Sequence, residues 1–462
     1  MINKKIKHLI HRASFGFPLE MPDFGSVEKV FADLWKKSVA PVYINVVSAQ
    51  SEVLPDNFRK KPADEKSDFI KNKFRLAKDL NAAWLDRLQG SSQLREKMTL
   101  FWANHFACRS GNPAFAQFLN NKIREHALGN FRTLLIEVSR SPAMLQFLNN
   151  QQNRKSHPNE NFAREVMELF TLGRGHYSEK DVQEAARAFT GWSFNLAGEF
   201  EFRTRIHDFG QKTILNRTGN FNGDDVLRIL LEEQQTALFI TRKFWRAFVS
   251  NTPDEKLCKE ISVRFYNSGY EIEVLIREFY LADWFYDEKY IGALIKSPVE
   301  LMVPLLRDFR VEFLNPNVAI GFQKALGQVL FNPPNVAGWP GGRNWIDSSS
   351  LAFRMRLGRV LLSEELPSIE SKPDGDDNNA FRDKLGADEG MKIRSDWKKV
   401  DAYYSGLQEK DRLEALADYL LAVPLSADNR RLAKSFIHAE GADKGLRSTV
   451  MFLTTLPEFQ IC

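Results

Sequence analysis

The segment Asn159-Glu-Asn-Phe-Ala-Arg-Glu-Val-Met-Glu-Leu-Phe-Thr-Leu-Gly173 holds residue types that acid–base or metal chemistry needs. At about 100° per residue on a helix, Phe162, Val166, Leu169 and Phe170 share one side. Asn161, Arg164, Glu165 and Glu168 share the other. Glu165 and Glu168 stand three residues apart, so both carboxylates reach one point. Such a pair holds a hard divalent cation or shares a proton. The plain alternative is the solvated face of an amphipathic helix.

Two histidines extend this set. His105 follows Leu94, Met98 and Phe101 on one helical face, so it points inward. A lone inward histidine is more often a satisfied core residue than a ligand. His207-Asp208 precedes Gly210 in a loop, and loops on a rigid scaffold often carry function. His105, Glu165, Glu168 and His207 together make an N2O2 set suited to a divalent metal. With Asn161, Arg164 and Asp208 they form the expected catalytic pocket, where metal-activated water would hydrolyse a substrate. Gly210-Gln-Lys-Thr213 lacks the leading glycine of a phosphate loop. Asn222-Gly-Asp-Asp225 reads as a turn and helix N-cap rather than a calcium loop. No Gly-x-Ser-x-Gly, His-Glu-x-x-His or Gly-x-Gly-x-x-Gly occurs.

The elements that must position these residues are helices. Apolar periodicity predicts them over 114–127, 131–140, 160–172, 179–190, 224–249, 254–267, 271–287, 295–310, 316–330, 351–364, 408–422 and 427–440. Ser178 with Asp181, and Ser297 before Pro298, signal helix starts. Alternating strand patterns are scarce, which leaves an all-α, multi-lobed bundle with at most a short β-hairpin near 199–206. The Pro- and Gly-rich stretch 331–347, with Trp339 and Trp345, reads as an ordered loop packed on the body. Segments starting at Leu135, Leu275 and Val450 share an apolar helix, a breaker and a large apolar plug. A common helix ending used three times accounts for them; duplicated helical units are the rival explanation.

With 462 residues the chain exceeds one ordinary core, which stops growing near ~250–300 residues. The expected division is an N-terminal lobe over 1–150, a central lobe over 151–364 with the polar site, an acidic linker or long loop over 365–395, and a C-terminal helical extension over 396–462. Sixty-four Lys and Arg against 59 acids, spread along the chain, argue against a dedicated nucleic-acid binder. Three widely spaced cysteines form neither a CxxC nor a disulfide framework. No run of about 18 apolar residues occurs, so no spanning helix is expected.

The motifs His8-Leu-Ile-His-Arg-Ala-Ser-Phe-Gly16, Phe101-Trp-Ala-Asn-His-Phe106, Ser141-Pro-Ala-Met-Leu145 and the 159–173 segment resemble those of the bacterial family called domain of unknown function 1800. So do Ala-Phe-Thr-Gly-Trp192, His207-Asp-Phe-Gly-Gln-Lys-Thr213, the loop from Phe331 to Trp345 and Pro457-Glu-Phe-Gln460. The family name records no activity. Its members are often encoded beside a sulfatase-like family exported by the twin-arginine route, so the resemblance implies such a partner and co-export with it. Where the family often has a second histidine just before His105, this chain has Ala103. The basic N-terminus lacks an apolar h-region and a twin-arginine pair, so a cytoplasmic chain, or one co-exported to the periplasm without its own signal peptide, is expected. Besides the metal-dependent hydrolase, a non-enzymatic partner or chaperone-like role fits, with Trp339 and Trp345 as interface anchors.

Overall fold

Capping chemistry fixes where several helices begin. Ser178 accepts from the Asp181 backbone N at 3.2 Å while the Asp181 carboxylate accepts from Ser178 N at 2.8 Å, opening helix Glu179–Ala188. Ser297 and Glu300 close the same reciprocal box ahead of helix Pro298–Asp308. Asn222 caps helix Gly223–Glu232, as its sequence context suggests. The computed structural model describes residues 3–19, 24–48, 62–362, 393–438 and 442–462.

Among these residues the fold is mostly helical, and its strands form three antiparallel pairs. No helix among them is long and apolar enough to cross a membrane. The hairpin expected near 199–206 lies earlier in the chain, with Trp192–Phe194 paired to Phe200–Phe202 and Thr204–Ile206 forming a 3₁₀ turn, and two further strand pairs go beyond the single one expected. A second hairpin, Lys212–Ile214 with Arg217–Gly219, turns through Leu215 and Asn216 at φ 47 and 63. Its turn has neither Asn-Gly nor Asp-Gly, the usual signature of this geometry. A tertiary contact holds it instead: Leu215 N donates to the Asp181 carboxylate at 2.8 Å. In the third pair Glu312–Phe313 meets Ile393–Arg394, the end of the expected acidic linker; 365–392 lies outside the described residues.

The helix expected over 224–249 is two helices, Gly223–Glu232 and Gln234–Phe248, broken at the extended residue Glu233. Distant groups satisfy the carbonyls at the break. Tyr270 Oη donates to Leu231 O at 2.8 Å and Tyr266 Oη to Glu232 O at 3.0 Å. The helix expected over 271–287 ends at Tyr280 and resumes as a 3₁₀ turn, Asp283–Tyr286. The other two repeated segments also break, after Arg140 and Thr455, but resume as short α-helices, Pro142–Phe147 and Pro457–Gln460, so Met144, Trp284 and Phe459 each follow a break.

Buried apolar side chains form two large clusters. One runs from Ile6 to Tyr290 and includes Trp102, Phe131, Phe162, Trp192 and Trp245. The other joins Phe15 and Trp84 to residues between Val299 and Phe459, including the loop tryptophans Trp339 and Trp345. Helix Gln93–His105 feeds both, through Met98 and Trp102 on one side and Leu100 on the other. That helix carries His105.

Candidate functional site

The 160–172 segment winds as α-helix over Glu160–Glu165 and then widens into a π-helix over Val166–Thr171. Its apolar side is as expected: Phe162, Val166 and Phe170 are fully buried and Leu169 is partly buried. Leu172 N reaches back five residues to Met167 O at 2.9 Å, which widens the turn. Carbonyls on this turn find donors from elsewhere. Lys243 Nζ donates to Leu169 O at 3.0 Å, and His105 Nε2 lies 3.2 Å from Phe170 O.

A carbonyl only accepts, so Nε2 carries the His105 proton, and Nδ1 accepts from Lys243 Nζ at 3.1 Å. Burial and the neighbouring ammonium hold His105 well below the usual histidine range. Burial also pushes Lys243 down to about 8. Both ring nitrogens of His105 are thus used inside the protein, so it supports the π-turn and has no lone pair left for a metal. Sequence reasoning missed Lys243 because its partner lies far away in the chain.

The polar side of the segment faces other polar groups and is partly shielded. Asn161 is exposed, while Arg164, Glu165 and Glu168 are half-buried. Arg164 forks onto Glu179, at 2.8 and 2.6 Å, and reaches Glu160 at 3.0 Å. Glu168 accepts from Tyr177 Oη at 2.8 Å and from Arg174 at 2.8 and 3.0 Å. The Tyr177 hydrogen bond and Arg174 hold its carboxyl below the usual range. Glu165 has no hydrogen-bond partner among the described residues, and burial with the Glu168 charge pushes its carboxyl up.

His207 and Asp208 fasten the first hairpin. The Nδ1 of His207 donates to Thr190 O at 2.7 Å, and the ring lies edge-on to Phe202 and Phe209, with centroids 4.9 and 4.7 Å away. Burial lowers its pKa. Arg187 donates to Asp208 at 2.8 and 3.3 Å and holds that carboxyl below the usual range. The seven expected site residues therefore fall into three groups: His105 beneath the π-turn, Asn161 to Glu168 along the segment, and His207-Asp208 under the hairpin. Among the described residues no group of three or more His, Cys, Asp or Glu side chains could hold a metal ion, so the four-ligand set is not assembled.

The hairpin that His207 fastens walls an open groove of about 1350 Å³ that none of the seven lines. Helix Pro113–His126 forms the facing wall, with Phe115, Phe118 and Gln117. Phe115 meets Phe194 across the groove, centroids 5.4 Å apart, and Gly198 at φ 82 leaves the space a Cβ would take from Phe115. Phe118 and Leu196 are 43% and 73% exposed on its rim. The same helix already grips a non-helical stretch of this chain through side-chain amides. Gln117 accepts from Val46 N and Val47 N at 2.7 and 2.9 Å and donates to Val47 O at 2.8 Å. Asn121 accepts from Ile44 N at 3.0 Å and donates to Ile44 O at 2.8 Å. Lys73 and Arg109 on the groove have no ion-pair partner among the described residues. Two amides one helical turn apart were the available sequence signal for this wall.

Residues 8–461 match the family described as Protein of unknown function (DUF1800), and the chain belongs to that family. No curated protein and no solved structure matches it.

Proposed function

We propose that this chain is a binding protein whose groove takes a non-helical stretch of a partner polypeptide, the partner being the sulfatase-like protein that the family resemblance implies. One observation carries the reading: Gln117 and Asn121 already pair with both N–H and C=O groups of residues 44–47. Those amides are spent on residues 44–47, which they fix as an ordered non-helical edge of the groove wall between Tyr43 and Val47. The aromatic lining supplies apolar contact, and Lys73 and Arg109, without an ion-pair partner among the described residues, favour an acidic flank on the partner. Trp339 and Trp345 are 5% and 6% exposed and serve the core, so the anchors of this reading are Phe118 and Leu196. Co-export follows if the partner carries the twin-arginine signal for both.

The test is a pull-down of tagged protein from its native cells, beside Phe118→Asp and Leu196→Asp. Both side chains are exposed, so these changes leave the core untouched. Recovery of the sulfatase-like product with the parent but not with the variants is expected. Equal recovery with all three, or none with the parent, overturns the proposal.

Metal-assisted hydrolysis retains one supporting observation, the unpartnered Glu165 carboxylate beside Glu168. A divalent ion there would take two carboxylates from the chain and its remaining ligands from water or substrate. Elemental analysis of the purified protein after addition of divalent ions, against Glu165→Gln, tests it; identical metal content in both proteins removes the reading.

A further inference from the structure

The Gln117 and Asn121 amides are engaged by residues 44–47, so a backbone entering the groove needs other hydrogen-bonding groups on its walls. The hairpin of Trp192–Phe194 and Phe200–Phe202 carries such groups. Arg203 N donates to Gly191 O at 2.8 Å and Asn195 N to Glu199 O at 2.9 Å, at the two ends of the pairing. Bonded positions alternate along an antiparallel pair, so Ser193 bonds with Glu201 between them. Trp192, Phe194, Phe200 and Phe202 therefore turn their backbone groups outward, away from the opposite strand.

On the first strand the outward groups are occupied. Trp192 N donates to Phe189 O at 3.3 Å, Trp192 O accepts from Asn150 at 3.2 Å, and Phe194 O accepts from Arg203 at 3.1 Å. On the second strand the outward N–H and C=O groups of Phe200 and Phe202 have no hydrogen-bond partner among the described residues. The sheet has two strands, and Glu201, Phe202 and Arg203 are exposed. Residues 200 and 202 thus present two donors and two acceptors over about 7 Å of free sheet edge. Phe200 also lines the groove, with the Arg140 guanidinium 5.0 Å from its ring centroid, so the edge starts inside the groove.

We infer, resting on the reading of the groove as a partner site, that the partner's segment adds to this hairpin as a third strand along Phe200–Phe202. Main-chain bonds to the edge supply affinity, and alternate side chains of the added strand supply specificity. Trp192, Phe194, Phe200 and Phe202 share one face of the hairpin through their cross-strand pairing, so every second residue of the added strand meets an aromatic surface and is apolar. Lys73 and Arg109, without an ion-pair partner among the described residues, select acidic residues beyond the paired stretch. A second copy of this chain fits less well: its edge carries Glu201 paired with its own Arg203 at 2.8 Å and offers no net negative charge. A short edge bearing charged side chains discourages indiscriminate pairing, which leaves it to a strand that the groove also holds.

The test is fluorescence anisotropy of a labelled synthetic peptide, alternating Val and Thr between terminal Asp residues, titrated with the full chain. Saturable binding is expected. N-methylation of the alternate set of residues whose N–H groups face the edge should weaken it about ten-fold or more, and N-methylation of the other set by less than about two-fold. Loss on methylating the Val set means antiparallel addition and loss on methylating the Thr set means parallel addition; both support the inference. No binding of the unmethylated peptide, or equal effects of the two sets, overturns it. Phe202→Pro removes one outward N–H and leaves the bonds within the hairpin, so it should bind about five-fold more weakly than Phe202→Ala, which keeps that N–H. If Phe202→Pro does not fold, the methylated peptides on the parent decide. In the pull-down from native cells, recovery of the sulfatase-like product with Phe202→Ala but not with Phe202→Pro supports strand addition. Equal recovery with both overturns it and leaves the groove reading standing. No recovery with the parent removes the groove reading, and the peptide titration then decides the edge alone. Light scattering that shows a parent dimer made monomeric by Phe202→Pro assigns the edge to a second copy and overturns the inference.

Discussion

Replacing Glu168 by alanine removes the acceptor that Tyr177 and Arg174 share. The Glu168 side chain is 18% exposed, whereas Arg174 is 88% exposed, so the two lost contacts weigh differently. A hydrogen bond from Tyr177 Oη to a partly buried carboxylate contributes ~1.5–3 kcal/mol. The pair with a solvated arginine contributes ~0–1 kcal/mol. Glu168→Ala should therefore cost about 2–3 kcal/mol. Glu165→Gln should behave oppositely, because Glu165 carries an unpaired charge that burial and Glu168 both disfavour. Its folded pKa lies above the unfolded value of ~4.3, so its ionisation weakens the fold as pH rises through that region. At pH 7 the neutral amide should leave stability unchanged or raise it by up to ~1 kcal/mol. Urea titrations of the parent and both variants at pH 7 and pH 4 measure this, and the gain from Glu165→Gln should vanish at pH 4. Loss of more than ~1 kcal/mol in Glu165→Gln with Glu168→Ala neutral would refute the reasoning. It would mean that Glu165 holds a ligand and that Glu168 does not organise this face.

Lys243 and Lys296 are both pushed down to about 8 by burial, so the unfolded chain holds their protons more tightly. Stability should rise from about pH 8 towards the ordinary lysine value of ~10.4, by at most ~1.4 kcal/mol per pH unit for each; Lys296→Met should flatten half of that rise in denaturant titrations, and an unchanged slope contradicts the assignment. Glu96 and Arg124 form a buried fork at 2.7 and 3.1 Å with side chains 2% and 0% exposed, so Glu96→Gln should cost ~3–5 kcal/mol, read as a lower urea midpoint. Arg124 also donates to Asn121 at 3.0 Å, so hydrogen exchange at 44–47 should quicken in that variant. His207→Ala should cost ~2–3 kcal/mol from one hydrogen bond and two ring contacts, with faster exchange confined to 191–207; faster exchange at the π-turn instead would count against a role in fastening the hairpin.

Local signals were legible wherever the deciding partner is a sequence neighbour. The box at Ser178, the caps at Asn222 and at Ser297 before Pro298, and the apolar side of 160–172 depend on residues within four positions, and all are present. The helical class follows, because summed short-range periodicity is what selects helix over strand. Tertiary structure decided what periodicity cannot express. Glu233 breaks a helix because Tyr266 and Tyr270 satisfy the carbonyls at the break. The 166–171 turn widens into a π-helix with Lys243 and His105 bonding its carbonyls. An inward-facing histidine, equally consistent with ligand or core, became a structural residue once Lys243 claimed its second nitrogen. Arg12, in a basic N-terminal stretch, became a buried cation with two donors unpartnered among the described residues because helices remote in sequence closed over it. Sequence spacing determines which side chains share a face, since that is geometry within one element. Whether a charged face meets solvent, a counter-ion or a cavity depends on which distant elements pack against it, and only the folded chain sets that.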